Sequence, residues 1–374
     1  MKFTIQSKTL LTHLSAVSKV VNTKSTISIL ENFLFTLKNG VLIVTGTDQE
    51  NTITTRIELL QSEGEGSFAV NVKKMLELLK ELPDQGFTFE VNDNTFEINI
   101  HYLNGEYKFV GIDGREYPQK EQMVEDTLEM HIPAEEITKS LEKTVFAVGT
   151  DPLRPVMTGV LWDIKPDEIR FVASDTHKLV RYVNNRVATG YTSSFIMPAK
   201  PANVLLGILS KEEENVKVVL GTKTVSFETD AYTLTTQQIN GKYPDYNAVI
   251  PRNNPYEVTV DRAMLLTAIR RVAIFAAVGG LVSLEITNNQ IMIRVQDVKD
   301  STSAEEIVSC EYSGDRIVIG FNKDKIIEVL SNISVDNIYF KVSDPARPGL
   351  FVPVEQAENE DWIGLLMPMM VANS

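Results

Sequence analysis

The sequence predicts an α+β protein made of three repeated units, each with helices packed on one side of antiparallel sheet. Three observations lead there. Marker residues recur with a common period of about 125 residues: Lys73, Lys200 and Lys323 are 127 and 123 positions apart, Asp48, Asp175 and Asp297 are 127 and 122 apart, and Leu14, Leu141 and Ile269 are 127 and 128 apart. Each period opens on a stretch of helical hydrophobic spacing. Each then carries hairpin signals, followed by an apolar strand, a lysine and a second helical stretch. Chance similarity between β-rich segments could produce one such match, but not readily three in the same order.

The first helical stretch of each unit places apolar residues on one face: Leu10, Leu11, Leu14, Val17 and Val21, then Ile137, Leu141, Val145 and Val148, then Leu265, Ala268, Ile269 and Val272. Six helices are predicted, over 7–21, 73–82, 134–148, 199–209, 261–277 and 322–333. Between them, Phe33 to Leu37, a turn at Asn39-Gly40 and Val41 to Val44 read as a hairpin, and the same order recurs around Lys165-Pro166-Asp167 and Asn288-Asn289. Further strand pairs follow the second helix, such as Thr88 to Val91 with Phe96 to Ile100, and Lys217 to Leu220 with Val225 to Glu228. Linkers are expected near Glu125-Asp126-Thr127 and Arg252-Asn253-Asn254-Pro255, giving domains 1–126, 127–252 and 253–374. An open array of such units exposes strand edges at both ends, and head-to-tail association that closes into a ring removes them.

Composition narrows the class. At 374 residues and 43% hydrophobic content, the chain has material for several cores. No apolar run approaches a membrane span and the start MKFTIQSK lacks a signal peptide's apolar stretch, so the expectation is a cytoplasmic protein with no membrane partner. The single cysteine, Cys310, reads as a buried strand residue. The net charge of −14 argues at first against a nucleic-acid partner. However, the six predicted helices hold thirteen Lys or Arg against eight acids, a balance of +5 that leaves −19 for everything else. A mildly basic helical layer in an acidic protein can accept a polyanion, although lysine-rich helices also serve solubility alone.

Beyond these patterns the chain resembles the bacterial sliding clamp family, the β subunit of the replicative DNA polymerase III, over essentially its whole length. The stretches that carry the resemblance are GKYPDYNAVIP at 241–251, ASDTHKLVRY at 173–182, IGFNKDKIIEVL at 319–330 and LLMPMM at 365–370. The resemblance implies three clamp-type domains per chain, with helices lining the inside, sheets outside, and two chains closing head to tail as a homodimeric ring around double-stranded DNA. It implies a processivity factor with no cofactor or metal, whose partners are the replicative polymerase, the clamp loader and repair and translesion proteins. Sliding requires a weak, sequence-independent attraction to phosphates and no reading of base edges. The DNA-channel candidates are Lys24, Lys73, Lys74, Lys200, Arg270, Arg271 and Lys323. Asn247 and Ala248 stand where basic residues are common in the family, which weighs against DNA contact by that loop.

The family also docks short peptides of the type Gln-Leu-x-Leu-Phe in a groove between the second and third domains. Carried over by residue, that groove comprises Ser174, Thr176, Leu179, Pro244, Val249, Leu365, Met367, Pro368 and Met369, with Arg154, His177 and Asn322 at its margin. Methionine is flexible and polarizable, which suits a pocket with several partners; the plainer reading makes these methionines the end of a strand and its core. Met370 replaces a family arginine, and Val371-Ala372-Asn373-Ser374 extends the tail. For the dimer seam the resemblance pairs Tyr107 and Phe109 with Ile274 and Phe275 of the other chain, and puts Lys73 or Lys74 near Glu305 or Glu306.

An enzyme is the main rival, and its signatures are missing. The sequence has no phosphate-binding glycine loop, no nucleophile elbow and no metal-spaced histidine pair, and His13, His101, His131 and His177 are scattered. His177 beside Asp175 has no accompanying nucleophile. Asp297 and Asp300, with Lys299 between, make a weak metal site. A third reading is an adaptor that binds peptides but not DNA, in keeping with the acidic balance.

Overall fold

A computed structural model describes residues 1–22, 24–118, 127–209, 215–297 and 300–371. The chain divides into two compact units, Met1–Glu135 with Lys200–Gln238, and Glu136–Ala199 with Ile239–Ser374. Glu125 and Asp126 of the first expected linker, Lys299, and the tail residues Ala372, Asn373 and Ser374 lie outside the described residues.

The first unit holds two antiparallel sheets. One runs in the order Gln61–Glu63, Lys2–Gln6, Gly86–Val91, Glu97–Tyr102 and Gly105–Val110. The other has nine strands: Ile112–Asp113, Gly66–Asn71, Asn32–Lys38, Val41–Thr47, Asn51–Glu58, Tyr232–Gln237, Thr224–Glu228, Asn215–Leu220 and Leu128–Pro133. The expected hairpin turn is present, with Asn39 at φ 51° and Gly40 at φ 77°, the left-handed pair a two-residue turn requires. Strand alternation buries Phe33, Phe35, Leu42, Val44, Ile53 and Ile57 on one face. The second unit has an eight-stranded sheet, Ser193–Pro198, Gly159–Ile164, Ile169–Ser174, Lys178–Asn184, Glu360–Leu366, Gly349–Pro353, Asn337–Val342 and Tyr256–Asp261. Its four-stranded sheet runs Thr302–Ser309, Gln290–Asp297, Leu281–Thr287 and Ile317–Asn322.

All six predicted helices are present: α1 Ser7–Val17, α2 Val72–Lys80, α3 Ala134–Glu142, α4 Ala199–Leu206, α5 Arg262–Ala273 and α6 Lys323–Ser331. Three of them take their cap from the residue that ends the preceding strand. Asn71, Asp261 and Asn322 each accept backbone N–H groups in the first turn of α2, α5 and α6. In α1, which has no such cap, Ser7 donates instead to Pro83 O at 2.9 Å.

Several helices stop earlier than their apolar spacing predicts. α1 ends at Val17 rather than 21 because Lys19 and Val20 turn to carbonyls three residues back. α3 ends at Glu142, and Val145–Ala147 forms a separate 3₁₀ turn after Thr144 Oγ1 bonds back to Ser140 O at 2.7 Å. α5 ends at Ala273, short of the expected 277. Gly46 explains how closely α1 approaches its sheet: a Cβ there would meet Val17 Cγ1 at 2.7 Å and Val21 Cγ2 at 3.0 Å. Cys310 is buried as expected, but it lies just past the strand Thr302–Ser309 rather than within it.

Candidate functional site

In the second unit the strand Lys178–Asn184 lies between Ile169–Ser174 and Glu360–Leu366, so residues of the second and third repeats share one sheet. Leu179 is the register partner of both Ser174 and Leu365, and Leu365 is also opposite Leu350. These leucines join Leu161, Val172, Ile196, Tyr243 and Tyr246 in a buried apolar cluster, fringed by Val156, Met157, Ile250 and Val352. Leu179 and Leu365 are only 5% and 2% exposed. They form a floor rather than open groove walls. Met367, Met369 and Val249, by contrast, are 42%, 38% and 49% exposed, and Pro244 is also exposed.

Backbone bonds hold the methionine segment in place. Met367 N donates to His177 O at 2.8 Å and Met369 N donates to Gly320 O at 2.8 Å. The two bonds hold the backbone on either side of Pro368, while both methionine side chains remain exposed. Asn322, expected at the margin, caps α6 with its carbonyl oxygen and donates through Nδ2 to Gly279 O at 3.1 Å.

The turn at Asp175 builds the next edge. Asp175 Oδ1 accepts His177 N at 3.0 Å and Lys178 N at 2.8 Å, and Ser174 Oγ donates to Lys178 O at 2.8 Å. This geometry drives Thr176 to φ 76°, a strained position for a β-branched residue. Arg154 Nη1 donates to Thr176 Oγ1 at 3.1 Å, so four of the expected groove residues, Arg154, Ser174, Thr176 and His177, meet here. His177 faces solvent, and it touches Asp175 through its backbone, not as an acid/base pair.

Beneath the turn is an ion network that the sequence reading missed. Lys178, its side chain 2% exposed, contacts Asp175 Oδ2 and Glu328 Oε2, each at 2.9 Å, and Lys325 Nζ lies 2.5 Å from the same Asp175 oxygen. Burial opposes ionisation of Asp175, but the bonds from Lys325 and Lys178 outweigh it and hold the carboxyl at about 2. The repeated aspartate marker was the one available signal. In the first unit Asp48 plays the same part, with Lys200 Nζ 2.5 Å from its Oδ2.

The DNA-channel candidates fall into two groups. Lys24, Lys73 and Lys74 are exposed, Lys73 making a 3.9 Å contact with Glu77. Arg270 is exposed and donates to Ser331 Oγ at 2.9 Å. The others are engaged within the chain. Lys200 donates to Val20 O at 3.0 Å as well as to Asp48. Lys323 donates to Ala273 O at 3.3 Å and Ala276 O at 3.0 Å, satisfying carbonyls at the end of α5. Arg271 forms an ion pair with Glu306.

Tyr107 and Phe109 are half-buried on Gly105–Val110, the last strand of the five-stranded sheet. Ile274 and Phe275, 78% and 45% exposed, follow α5 in the second unit, beside the edge strand Thr302–Ser309, whose Thr302 Oγ1 donates to Phe275 O at 3.1 Å. Val278 and Ile307 are also exposed there and carried no signal in the sequence patterns. Glu306 and Glu305, expected to face lysines of another chain, have partners in their own: Arg271 for the first, and Arg294 at 3.2 Å for the second. Two open depressions, of ≈ 500 and ≈ 170 Å³, are lined by other residues.

Three repeats of α+β architecture, joined by shared antiparallel sheet, define a clamp-type protein. Family models for the N-terminal, central and C-terminal domains of the DNA polymerase III β subunit match residues 1–121, 131–245 and 247–370. The chain is 27% identical over 372 residues to the β sliding clamp of Pseudomonas aeruginosa, covering 99% of this chain and all of that one, and 26% identical over 371 residues to that of Escherichia coli with the same coverage. Among solved structures, a sliding clamp from Pseudomonas aeruginosa superposes with a TM-score of 0.93 at 26% identity, covering 99% of this chain and 100% of that one. A clamp from Bacillus subtilis gives 0.91 at 25% identity, covering 100% of both. The chain belongs to the DNA polymerase III β-subunit family, the β sliding clamps. It is a non-catalytic processivity factor in DNA replication, and the family implies DNA and polymerase as partners.

Proposed function

We propose that two copies of the chain close head to tail into a ring around double-stranded DNA, and that replicative polymerase, clamp loader and repair or translesion proteins dock short apolar peptides above the Leu179–Leu365 floor. A pair of open sheet edges carries the ring. Asn51–Glu58 of the first repeat pairs with Tyr232–Gln237 of the second, and Lys178–Asn184 of the second pairs with Glu360–Leu366 of the third. The strands left in the corresponding positions are Thr302–Ser309 and Gly105–Val110, each the last of its sheet. Joined between copies, they would repeat the same pairing and leave neither of these two edges open.

On this reading the repeats 1–126, 127–252 and 253–374 are the domains, and Tyr107, Phe109, Ile274 and Phe275 line the seam. Lys24, Lys73, Lys74 and Arg270 are the candidates best placed to meet phosphate, because they are exposed; Lys200, Arg271 and Lys323 act first as internal ties. The exposed Met367, Met369 and Val249 support the docking role, with Arg154, Thr176, His177, Pro244 and Pro368 at the rim. The protein would work beside the DNA, in the cytoplasm. Among the described residues no helix is long and apolar enough to cross a membrane.

The test uses clamp loaded by its loader onto nicked circular plasmid. Co-elution with the circle, lost when the plasmid is linearised, is the expected outcome. Equal binding to both forms, or to neither, would leave a peptide-binding adaptor as the better description.

A further inference from the structure

The turn at 174–178 carries Thr176 in a left-handed conformation, φ 76°, that a β-branched residue does not keep without restraint. The restraint comes from Asp175. Its Oδ1 accepts His177 N at 3.0 Å and Lys178 N at 2.8 Å, closing the turn, and its Oδ2 receives Lys178 Nζ at 2.9 Å and Lys325 Nζ at 2.5 Å. With both oxygens engaged, the carboxylate cannot rotate without giving up an ion pair. The turn at Asp48 is built the same way. Asp48 Oδ1 accepts Glu50 N at 3.1 Å and Asn51 N at 2.7 Å, Lys200 Nζ lies 2.5 Å from Oδ2, and the next residue, Gln49, is left-handed at φ 80°. In both repeats a lysine-held aspartate precedes a left-handed residue that is not glycine.

At Asp175 the restraint reaches the rim proposed for docking. Thr176 Oγ1 accepts Arg154 Nη1 at 3.1 Å, and Thr176 N donates to Ser174 Oγ at 3.1 Å. Lys325 belongs to α6, whose capping residue Asn322 was expected at the margin of the same groove, and Gly320, two residues earlier, accepts Met369 N at 2.8 Å. Asn322, Lys325 and Glu328 are spaced three apart, on one face of the helix, and Glu328 Oε2 takes Lys178 Nζ at 2.9 Å. The start of α6 therefore holds both the methionine segment and the turn that carries Thr176.

On the docking reading above, we infer that Lys178 and Lys325 are positioning residues for the peptide: by holding Asp175 they keep Thr176 left-handed, and Arg154 at the rim, before a peptide arrives. A peptide that meets a pre-ordered turn does not bear the cost of ordering it. A turn released from Asp175 would let Thr176 relax out of the left-handed region and take Arg154 with it. Lys178 acts from beneath, its side chain 2% exposed, whereas Lys325 is 33% exposed, so positioning by Lys325 has to be separated from contact with the peptide.

Lys325→Gln leaves Asp175 its bond to Lys178, so the chain should still fold, which thermal melts check; Lys325→Met is measured beside it. Dissociation constants for a labelled Gln-Leu-Asp-Leu-Phe peptide would be read by fluorescence anisotropy for the parent, for these two variants and for Lys325→Arg. The series is repeated in a Thr176→Asn background, since asparagine tolerates the left-handed region and keeps a side-chain oxygen for Arg154. Both neutral variants are expected to weaken binding by roughly three- to tenfold, the cost of ordering a rim side chain, while Lys325→Arg, which restores the ion pair, matches the parent. In the Thr176→Asn background the loss should shrink to less than about twofold, because the turn no longer needs the restraint. Unchanged affinity for both neutral variants would overturn the positioning role. Equal losses in the two backgrounds would overturn it too, by putting Lys325 in contact with the peptide. A folded parent that binds no peptide would overturn the docking reading itself, and the positioning role with it.

Discussion

Leu179 of the second repeat and Leu365 of the third are register partners in adjacent antiparallel strands, and both are almost wholly buried. A docking surface founded on that pair has a rigid floor, because each leucine is fixed by the ladder and by its neighbours in the cluster. Adaptability must come from the side chains above it. Met367 and Met369 have that freedom, with backbones bonded and side chains exposed.

Peptide binding should therefore respond differently to the two layers. Met367→Ala with Met369→Ala is expected to weaken a labelled Gln-Leu-Asp-Leu-Phe peptide by about tenfold, since lost apolar contact on that scale is worth about 1.4 kcal/mol, with the melting temperature unchanged. Leu179→Asp should abolish binding by disrupting the fold beneath, because it buries an unpaired carboxylate. Fluorescence anisotropy and thermal melts on the same samples separate the two effects. Undiminished binding by the double methionine variant would remove these residues from the site.

The ion network at Asp175 predicts a pH signature. Its carboxyl titrates at about 2 in the folded chain, below the unfolded value of about 3.9. The network's contribution is thus fully present above about pH 4 and is lost as pH falls towards 2. Asp175→Asn should cost roughly 3 kcal/mol at pH 7, because it takes a charge partner from the buried Lys178. Denaturant melts of parent and variant should differ at pH 7 and converge towards pH 2; a gap independent of pH would show that the loss is not electrostatic.

Ile274→Asp with Phe275→Asp should give monomers. Both positions are exposed in the single chain, so the substitutions leave its fold intact, and only in a closed seam would they place charges where no partner waits. Light scattering that still returned the dimeric mass would place the seam elsewhere.

Gly46→Ala should destabilise the first unit by about 1–3 kcal/mol, the usual range for overpacking, since the added methyl meets Val17 Cγ1 at 2.7 Å and the stiff valine side chains of α1 must give way to admit it. Pairing it with Val17→Ala should recover part of the loss. An unaltered denaturation midpoint for Gly46→Ala alone would contradict the close approach of α1 to its sheet.

Burial pushes the Cys310 thiol up to about 11. At pH 8 only about one molecule in a thousand would carry the thiolate, so a thiol reagent should modify the native chain slowly and the denatured chain at once. Equal rates would show that Cys310 is accessible.

Local patterns were legible in the sequence because short-range forces write them. Helical spacing located all six helices, and Asn39-Gly40 and Asn288-Asn289 marked turns whose left-handed residues the structure reproduces at Asn39, Gly40 and Asn289. The helix ends were less legible, because Thr144 and the turn after Val17 end their helices through particular hydrogen bonds that hydrophobic periodicity does not register. The methionine segment at 365–370 stood out through family resemblance, since its apolar spacing alone is equally that of a strand end.

By itself, then, the sequence determined the threefold repeat, the α+β class, the helix positions and the charge division between helices and the rest. Tertiary structure alone decided which strands join the repeats, that Leu179 and Leu365 lie as floor rather than wall, and that Lys200 and Lys323 are ties rather than free charges. Asp48 and Lys200 are 152 residues apart in sequence, yet their charged atoms meet at 2.5 Å. A lysine's availability depends on which acid or carbonyl the folded chain brings within about 3 Å of it, and one-dimensional spacing carries no record of that distance.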